Sequence, residues 1–384
     1  MTSDSWISFA FPHREHKALA DELEEAAIRT LRSGTYILGP EVQSFENTFS
    51  EYCHTKHTVA VSSGSDALVC CLTALGIGRN DEVIVPAFGF SAAPEAVIRT
   101  GANPVFVDIE PLTLGPDPQC CFNALSTHTA AIIVMHLFGQ AVDLDAIALV
   151  LPGIPIVEDA AQAIGTQLNK KQVGTIGLAG TFSFFPAKAL GAAGDAGAVI
   201  TSDSDIADRV RLARAHGCQR NYEWNSPGGN YRMDAIQAAL LSVKLKSLNK
   251  RLTRRKHIGN TLSNVLASHN INVFRGTTAC QPTFAPLTFR TKNRNHIRQS
   301  LIDRHIDARV NYPQILPTSP AFLPYDRQRS NTDNVKRRAE DFPNAIRATQ
   351  ELLSLPCSPE LRDDEIGRII RAIDETMVEV PSET

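Results

Sequence analysis

The sequence has no long hydrophobic run and no strong excess of either charge. Its apolar runs end well before the roughly 20 residues that a membrane-spanning helix needs. Lys and Arg total 38 against 41 Asp and Glu, and this net charge of −3 does not indicate a nucleic-acid partner. The first residues, MTSDSWISFAFPHREH, lack the basic start and apolar stretch of a signal peptide. We therefore expect a soluble cytoplasmic protein without a membrane or nucleic-acid partner.

Signatures of common metal and nucleotide sites are also missing. None of the eight cysteines forms a C-x-x-C pair, so we interpret them as small buried residues of a reduced protein. The sequence contains no H-E-x-x-H metal motif and no G-x-x-x-x-G-K-[ST] phosphate loop. The segment GAAGDAG (191–197) has the wrong glycine spacing for a dinucleotide-binding turn and leads into a strand. The motifs therefore predict no metal ion.

What the sequence does contain is a regular alternation of β-rich runs and helical patterns. Such an alternation predicts an α/β domain with a largely parallel sheet, in which ligands bind at the carboxyl ends of the strands. A long helix is predicted at 232–256, and its charged end KSLNKRLTRRKH (246–257) is interpreted as a linker to a smaller α+β domain. The predicted strands are HTVAVSS (57–63), EVIVP (82–86), NPVFVDI (103–109), AAIIVMHLFG (130–139), IPIVEDA (154–160), GTFSFF (180–185) and AGAVIT (196–201).

Two of the strands end in residues that suit a charged ligand. In SSGSDAL (62–68) a strand leads into a helix, and the free N–H groups of a helix start can bind an anion. The same residues also suit an ordinary N-capped helix. Asp159 ends an apolar strand, where a carboxylate must be solvated, paired or bound to a ligand. It could hold the protonated nitrogen of a pyridine ring, or it could cap the next turn.

Lys188 lies in FSFFPAKALGAAGDAG (182–197), a segment with few charges around it. A desolvated lysine has a lowered pKa and can form a Schiff base, although most lysines are solvated surface charges. Pro186 and the glycines favour a tight loop there. Ser183, five positions earlier, could offer a hydroxyl to a phosphate or be a plain strand residue. His136, in a buried-type strand, is interpreted as a hydrogen-bonded core histidine.

An ordered set of segments resembles the DegT/DnrJ/StrS family of sugar aminotransferases, which depend on pyridoxal 5'-phosphate (PLP). The resemblance implies the fold type I architecture of aspartate aminotransferase, with a large PLP-binding domain at 1–245 and a small C-terminal domain at 246–384. The matching segments are SGTYILGPEVQSFE (33–46), SSGSDAL (62–68), DEVIVPAFGFSA (81–92), GANPVFVDIE (101–110), HLFGQAVDLDAI (136–147), VEDAAQAIG (157–165), FSFFPAKALGAAGDAGAVIT (182–201), GGNYRMDAIQAAL (228–240) and LSLPCSPEL (353–361).

The resemblance assigns catalytic and ring-binding roles to four residues. Lys188 matches the lysine that forms the Schiff base with PLP and later moves the proton. Asp159 matches the acid that pairs with the pyridinium nitrogen. Gln162 matches the residue beside the phenolic oxygen of PLP, and Phe90 matches the aromatic residue that stacks on its ring.

The resemblance also assigns the phosphate site and a subunit interface. Gly64 and Ser65 match the amides of a helix start that bind the phosphate, and Ser183 matches the hydroxyl that joins them. Asn230 matches an asparagine that reaches the phosphate from the neighbouring subunit. That role implies a homodimer with composite active sites.

The sequence departs from the family pattern at four positions. Ser65 stands where threonine is frequent, which keeps the hydroxyl group. Ala189 replaces the usual asparagine after the lysine, and Ala196 replaces a glycine of a turn. VNYP (310–313) puts Asn311 where a histidine often contacts the nucleotide-sugar. The last change bears on the identity of the sugar and leaves the cofactor chemistry as the resemblance implies.

The activity implied by the resemblance is amino transfer to a nucleotide-linked sugar. L-Glutamate would donate the amino group to a keto group at C3 or C4 of a deoxysugar, by a ping-pong aldimine mechanism in which PLP cycles through pyridoxamine 5'-phosphate. The product would be an amino sugar for surface polysaccharide or a secondary metabolite. One alternative is a PLP-dependent sugar dehydratase, but such relatives carry histidine at the position of Lys188. A second alternative is a non-catalytic regulatory protein that binds PLP or a sugar.

Overall fold

A seven-stranded sheet forms the centre of the molecule. The computed structural model describes residues 6–218, 223–271, 273–274, 276–277, 279–325 and 339–379. Within these ranges the strand order of the central sheet is β1-β9-β8-β5-β4-β2-β3. The strands are β1 (His57–Val61), β2 (Glu82–Pro86), β3 (Asn103–Val107), β4 (Thr129–Met135), β5 (Ile156–Asp159), β6 (Gln167–Leu168), β7 (Lys171–Gln172), β8 (Ala179–Ser183), β9 (Gly197–Thr201), β10 (Cys280–Gln281), β11 (Leu287–Arg290) and β12 (Leu352–Leu355).

The central sheet is mostly parallel, as predicted. Strands β3, β2, β4, β5 and β8 pair in parallel, whereas β9 runs antiparallel to both β8 and β1. Each of the seven segments predicted as strands contributes one strand to this sheet. Their runs of valine, isoleucine and alanine are typical of strands that are covered on both faces.

Helices cover both faces of the sheet. The helices are α1 (Pro12–Ala18), α2 (Ala20–Ser33), α3 (Pro40–Cys53), α4 (Gly64–Ala74), α5 (Ala92–Thr100), α6 (Pro118–Ala124), α7 (Leu144–Val150), α8 (Ser204–Ala213), α9 (Ala235–Leu245), α10 (Leu248–Ser268), α11 (Arg294–Asp303), α12 (Pro343–Glu351) and α13 (Asp363–Glu379). Alternate residues of β1 belong to different apolar clusters: Val59 and Val61 pack with α4, α5 and α8, whereas Ala60 packs with α3 and α9. This alternation follows from the two-residue period of a strand.

A smaller apolar cluster contains both ends of the described chain. Strands β11 and β12 pair antiparallel, and the cluster they share includes side chains of α10, α11 and α13. The N-terminal segment joins this cluster, since Ile7 forms a β-bridge with Ile306. Arg14 of α1 makes an ion pair of 2.6 Å with Glu365 of α13. The division into domains at 1–245 and 246–384 stays a prediction.

The single long helix predicted at 232–256 is wrong, because two helices occupy that stretch. Helix α9 ends at Leu245 and α10 begins at Leu248. At the break, the backbone N–H and the hydroxyl of Ser247 both donate to the carbonyl oxygen of Lys244, each at 3.1 Å. A serine that bonds a nearby carbonyl competes with the helical hydrogen-bond pattern, which accounts for the break. In the part of the chain that is described, no helix combines the length and apolarity needed to cross a membrane.

Gly180 lies on β8, opposite Glu158 of β5, and approaches a neighbouring turn closely. This contact gives a test of the packing around β5. A Cβ atom at Gly180 would overlap the carbonyl oxygen of Gly174, whose backbone cannot move without disturbing the turn. We expect Gly180→Ala to lower the melting temperature, at a cost of about 1–3 kcal/mol typical of overpacking. Gly367 of α13 is the matched control, because its added Cβ would meet only Arg371 Nη1, at 3.7 Å. Gly367→Ala should stabilise the helix slightly. Equal melting temperatures for the two variants would contradict this account.

Candidate active site

A cavity of about 630 Å³ lies at the carboxyl ends of the central strands. Its wall includes Ser63 after β1, His136 after β4, Asp159 at the end of β5 and Ser183 at the end of β8. Seven of the residues singled out in the sequence share this wall, namely Gly64, Ser65, Phe90, Asp159, Gln162, Ser183 and Lys188. The structure therefore brings together residues that lie up to 124 positions apart (188 − 64).

The start of α4 and the end of β8 form one side of the cavity. Ser63 caps the helix, since its Oγ accepts a hydrogen bond of 3.0 Å from the backbone N–H of Asp66. The N-capped helix expected as the plainer alternative is therefore present. The first N–H groups of a helix still lack carbonyl partners within it. A Cβ at Gly64 would come within 2.7 Å of the Ser183 Cβ, so glycine lets the helix start approach that hydroxyl.

Asp159 places a nearly buried carboxylate in the cavity wall. Its side chain is 9% exposed, and Oδ1 accepts a hydrogen bond of 3.0 Å from the backbone N–H of Ala161. Among the described residues no donor bonds Oδ2. Burial raises the pKa of the Asp159 carboxyl, and the Ala161 N–H and the charge of Lys188 act in the opposite direction. The carboxylate therefore both caps the next turn and retains one oxygen for a cation or donor.

Glu158, one residue earlier on β5, makes the hydrogen bonds on the opposite face of the same strand end. Its carboxylate accepts hydrogen bonds from the backbone N–H groups of Gly174, Ile176 and Gly177, at 2.6–2.7 Å. The Nε2 atom of His136 lies 2.9 Å from the same carboxylate. Because strand neighbours point to opposite faces, this fully bonded Glu158 leaves Asp159 directed to the cavity.

His136 is a hydrogen-bonded buried histidine, as predicted. The backbone N–H of Val142 donates to its Nδ1 at 3.2 Å. Nδ1 is therefore the acceptor, and Nε2 carries the proton that faces Glu158. His136 also belongs to the residues around the cavity, although its ring is fully buried.

Lys188 lies in a tight loop after β8, as predicted. Its backbone N–H donates to the carbonyl oxygen of Phe185 at 2.8 Å, which closes the turn. Burial lowers the pKa of the Lys188 amine, and the charge of Asp159 raises it in part. A lysine in these surroundings can release its proton more easily than a solvated one and act as a nucleophile.

Gln162 is held by a tyrosine that sequence reasoning missed. Its Oε1 accepts from the backbone N–H of Phe138 at 2.9 Å, and its Nε2 donates to the Tyr312 hydroxyl at 2.6 Å. The Tyr312 ring stacks on Phe138 with centroids 6.0 Å apart. Burial raises the pKa of the Tyr312 hydroxyl to about 12. The only available signal was the motif VNYP, which drew attention to Asn311 instead.

Phe90 and Asn311 complete the wall in different ways. The Phe90 side chain is 53% exposed although it lies in the cavity, so one face of its ring is free for a flat ligand. Asn311 Nδ2 donates to Ser354 Oγ at 2.8 Å, which fixes the amide in the wall.

Asn230 is the one predicted site residue that is not part of the cavity wall of its own chain. It is exposed and forms a β-bridge with Ala215. Its predicted role lies in a second subunit and stays a prediction.

A charged region of the cavity wall was also missed. The segment interpreted as a linker forms the junction before α10 and the first half of that helix, and Arg251 and Arg255 of α10 lie in the wall. Glu15 from α1 and Glu360 from the turn before α13 join them. No local pattern marks these residues, because they come from distant parts of the chain.

Comparisons with known proteins agree over almost the whole chain. A family model described as the DegT/DnrJ/EryC1/StrS aminotransferase family matches residues 17–374. A pleiotropic regulatory protein of Geobacillus stearothermophilus is 36% identical over 366 residues, which cover 94% of this chain and 96% of that protein. A dTDP-3-amino-3,4,6-trideoxy-alpha-D-glucose transaminase of Streptomyces venezuelae is 37% identical over 365 residues, covering 94% and 93%. The crystal structure of S. venezuelae DesV in complex with a ketimine intermediate superposes with a TM-score of 0.92, at 35% identity, covering 98% and 100%.

The electrostatic coupling of Lys188 and Asp159 predicts a pH dependence. In the ligand-free protein, Lys188 should react with trinitrobenzenesulfonate at a lower pH than an ordinary solvated lysine, because burial lowers its pKa. Since the charge of Asp159 raises that pKa, Asp159→Asn should lower the pH at which labelling of Lys188 is half-maximal, the labelling midpoint, still further. Peptide mass spectrometry across a pH series measures this midpoint in the wild type and in the variant. Asp195→Asn, which alters another cavity carboxylate, should leave the midpoint of Lys188 in place. An upward shift in Asp159→Asn would refute the coupling.

Proposed function

Because the chain belongs to the DegT/DnrJ/EryC1/StrS aminotransferase family, we propose that it aminates a nucleotide-linked keto-sugar. Its fold is the PLP aminotransferase fold, with the mixed seven-stranded sheet and the small C-terminal sheet described above. In the proposed reaction L-glutamate donates the amino group by a ping-pong mechanism, and a keto group at C3 or C4 of a deoxysugar receives it. PLP would be the cofactor and would supply the aldehyde that takes up the amino group, as pyridoxamine 5'-phosphate, between the two half-reactions. The product serves amino sugar biosynthesis for surface polysaccharide or a secondary metabolite.

The observation that carries the proposal is that Asp159 and Lys188 line the same cavity. A buried carboxylate with an unbonded oxygen suits the protonated nitrogen of a pyridine ring. A partly buried lysine whose pKa is lowered by desolvation suits a carbonyl carbon of the same ligand. These two groups fit opposite ends of one pyridoxal ring.

The helix start fits the phosphate of the same cofactor. Gly64 and Ser65 offer backbone N–H groups at the N-terminus of α4, where the helix dipole favours an anion. The close approach of Gly64 to Ser183 adds a hydroxyl to this group of donors. The cavity residues therefore fit PLP at its ring, its aldehyde and its phosphate.

The protein's own residues have separate tasks in the proposed reaction. When bound, PLP supplies the electron sink for a carbanion at the substrate carbon. Asp159 keeps the ring nitrogen protonated, and Phe90 fixes the plane of the ring. Gln162, oriented by Tyr312, lies beside the phenolic oxygen. Lys188 would take the proton from the α-carbon of the donor as general base and deliver it to the aldehyde-derived carbon of the cofactor as general acid, and it would move the proton in the reverse direction for the sugar.

The proposed active unit is a homodimer. Asn230 is exposed and does not line the cavity of its own chain, so it is available to a neighbouring subunit. In the proposal it reaches the phosphate bound in the partner's site, as the family resemblance implies. Each cavity is then completed only when two chains associate.

Two alternatives remain to be separated by experiment. A sugar dehydratase of this fold is disfavoured by Lys188, since the relatives with that activity carry histidine there. A regulatory role is raised by the name of the G. stearothermophilus relative. The ketimine in S. venezuelae DesV supports catalysis on this fold.

The first prediction concerns the attachment of the cofactor. The purified protein should be yellow, and borohydride should leave a phosphopyridoxyl group on Lys188, located by peptide mass spectrometry. Lys188→Ala should lose both the label and the activity. A label on another lysine would overturn the assignment of Lys188.

The second prediction concerns the amino donor. L-Glutamate should convert the yellow form to the pyridoxamine form, seen as loss of the visible absorbance, and a panel of nucleotide-linked keto-sugars should restore it. A protein that binds PLP but reacts with neither glutamate nor another amino donor would favour the regulatory alternative. Release of a sugar hydroxyl without amine transfer would favour the dehydratase.

The third prediction tests the composite site. Lys188→Ala and Asn230→Ala should each be nearly inactive. When the two variants are mixed and exchange subunits, each heterodimer carries one intact site. Because about half of the dimers in an equal mixture are heterodimers, about a quarter of the wild-type activity should return. No recovery despite proven subunit exchange would place both residues in one chain's site.

A further inference from the structure

The charged region of the cavity wall, taken together with Lys244, which contacts it but is not part of the wall, contains one cation more than its anions can pair. Glu15 contacts both Lys244, at 3.1 Å, and Arg251. Arg251 also pairs with Glu360 at 2.8 Å. With Arg255 added, the cluster has three cations and two carboxylates. The net charge of this cluster is therefore +1.

Arg255 is the cation without a partner. Its side chain is 8% exposed, and its buried Nε atom has no hydrogen-bond acceptor. No ion pair of its guanidinium occurs in the parts of the chain that the structure describes. By contrast Arg254, its neighbour in the sequence, pairs with the exposed Asp363 on α13.

An unpartnered guanidinium in this position is costly for the folded protein. Burial lowers the pKa of Arg255 and the positive charge of Arg251 lowers it as well, whereas Cys357, Glu360 and Glu15 act in the opposite direction. Because arginine does not lose its proton in proteins, the cost is not relieved by deprotonation. An anion that forms two parallel hydrogen bonds with the guanidinium would relieve it.

The position of Arg255 connects such an anion to the reacting lysine. Arg251 Nη1 donates to the carbonyl oxygen of Ala189 at 3.0 Å, directly after Lys188. Arg255 lies one helical turn further along α10, where side chains at i and i+4 share a face. Both arginines line the cavity that contains Lys188 and Asp159.

We propose that Arg255 binds a carboxylate of the amino donor and so selects an acidic amino acid. This inference rests on the proposed aminotransferase function and adds to it the residue that recognises the donor. The net charge of +1 suits a single carboxylate better than the diphosphate of a nucleotide-sugar, because Glu15 and Glu360 already lie beside the arginines.

A non-reacting ligand tests the anion site without any amino transfer. Glutarate has the two carboxylates of glutamate and no amine, so it should bind the PLP-loaded enzyme without reacting. Titration calorimetry should show at least tenfold weaker glutarate binding in Arg255→Met than in the wild type. Arg254→Met should stay within twofold of the wild type, because that side chain lies outside the cavity wall. Equal glutarate affinity in all three proteins, or no glutarate binding to the wild type, would overturn the proposal.

Kinetics distinguish the carboxylate of the donor from the diphosphate of the sugar. In Arg255→Met the concentration of L-glutamate that gives half the limiting rate of pyridoxamine formation should rise at least tenfold, and the KM for the keto-sugar should stay within twofold. Arg255→Lys, which keeps the charge, should recover part of the loss. A raised KM for the keto-sugar alone would assign the site to the diphosphate and overturn the carboxylate. If wild-type enzyme does not react with glutamate at all, the proposed donor fails, and the glutarate titration still tests Arg255.

Thermal unfolding separates an anion site from a structural ion pair. Arg255→Met removes a buried charge that has no partner, so its melting temperature should equal or exceed that of the wild type. Arg251→Met leaves Glu15 and Glu360 without their arginine and should melt at a lower temperature. A decrease in Arg255→Met as large as that in Arg251→Met, or failure of Arg255→Met to fold, would show a structural role and contradict the proposal.

Discussion

Two consecutive acids at the end of β5 point to opposite sides of the sheet, and the arrangement of the site depends on this alternation. Glu158 is fully bonded by three backbone N–H groups and by His136, which fixes the strand end and the turn at 174–177. Asp159 is consequently held at the cavity wall, where a carboxylate would otherwise turn toward water. Burial raises the pKa of Asp159 and lowers that of Lys188, and the attraction between their charges offsets both shifts in part. The chemistry of the cavity thus derives from the geometry of one strand.

The parts of the molecule that sequence predicts well are those governed by local patterns. Each strand of the central sheet was visible as a short apolar run, because a covered parallel strand needs one. The sequence marks Asp159 because a carboxylate at the end of an apolar strand requires a partner, and it marks Lys188 because few charges surround it. The prediction of a single helix across Ser247 is wrong although the residues there favour a helix. The Ser247 hydroxyl donates a hydrogen bond to the carbonyl oxygen of Lys244, and the helix is interrupted at this point.

The parts that sequence could not predict are contacts between distant segments. Tyr312 orients Gln162 across 150 positions, and nothing near either residue marks the pair. The charged stretch of α10 has the composition of a solvated linker, and only the packing of α1 and the turn before α13 puts Arg251 and Arg255 in the cavity wall. Asn230 belongs to a different category, since its predicted function depends on a second chain.

The joining of the two chain ends also has a consequence for biosynthesis. The start of α4, Asp159 and Lys188 all lie within residues 64–188. This part of the cavity can therefore form once the central sheet is complete. The remaining wall needs residues 9–15 and 358–360 together, and the ion pair of Arg14 and Glu365 joins positions 351 residues apart. Because closing so long a loop comes late, the ribosome must release nearly the whole chain before the cavity is enclosed. A nascent chain can thus hold a formed but open cofactor pocket before it can exclude water from it.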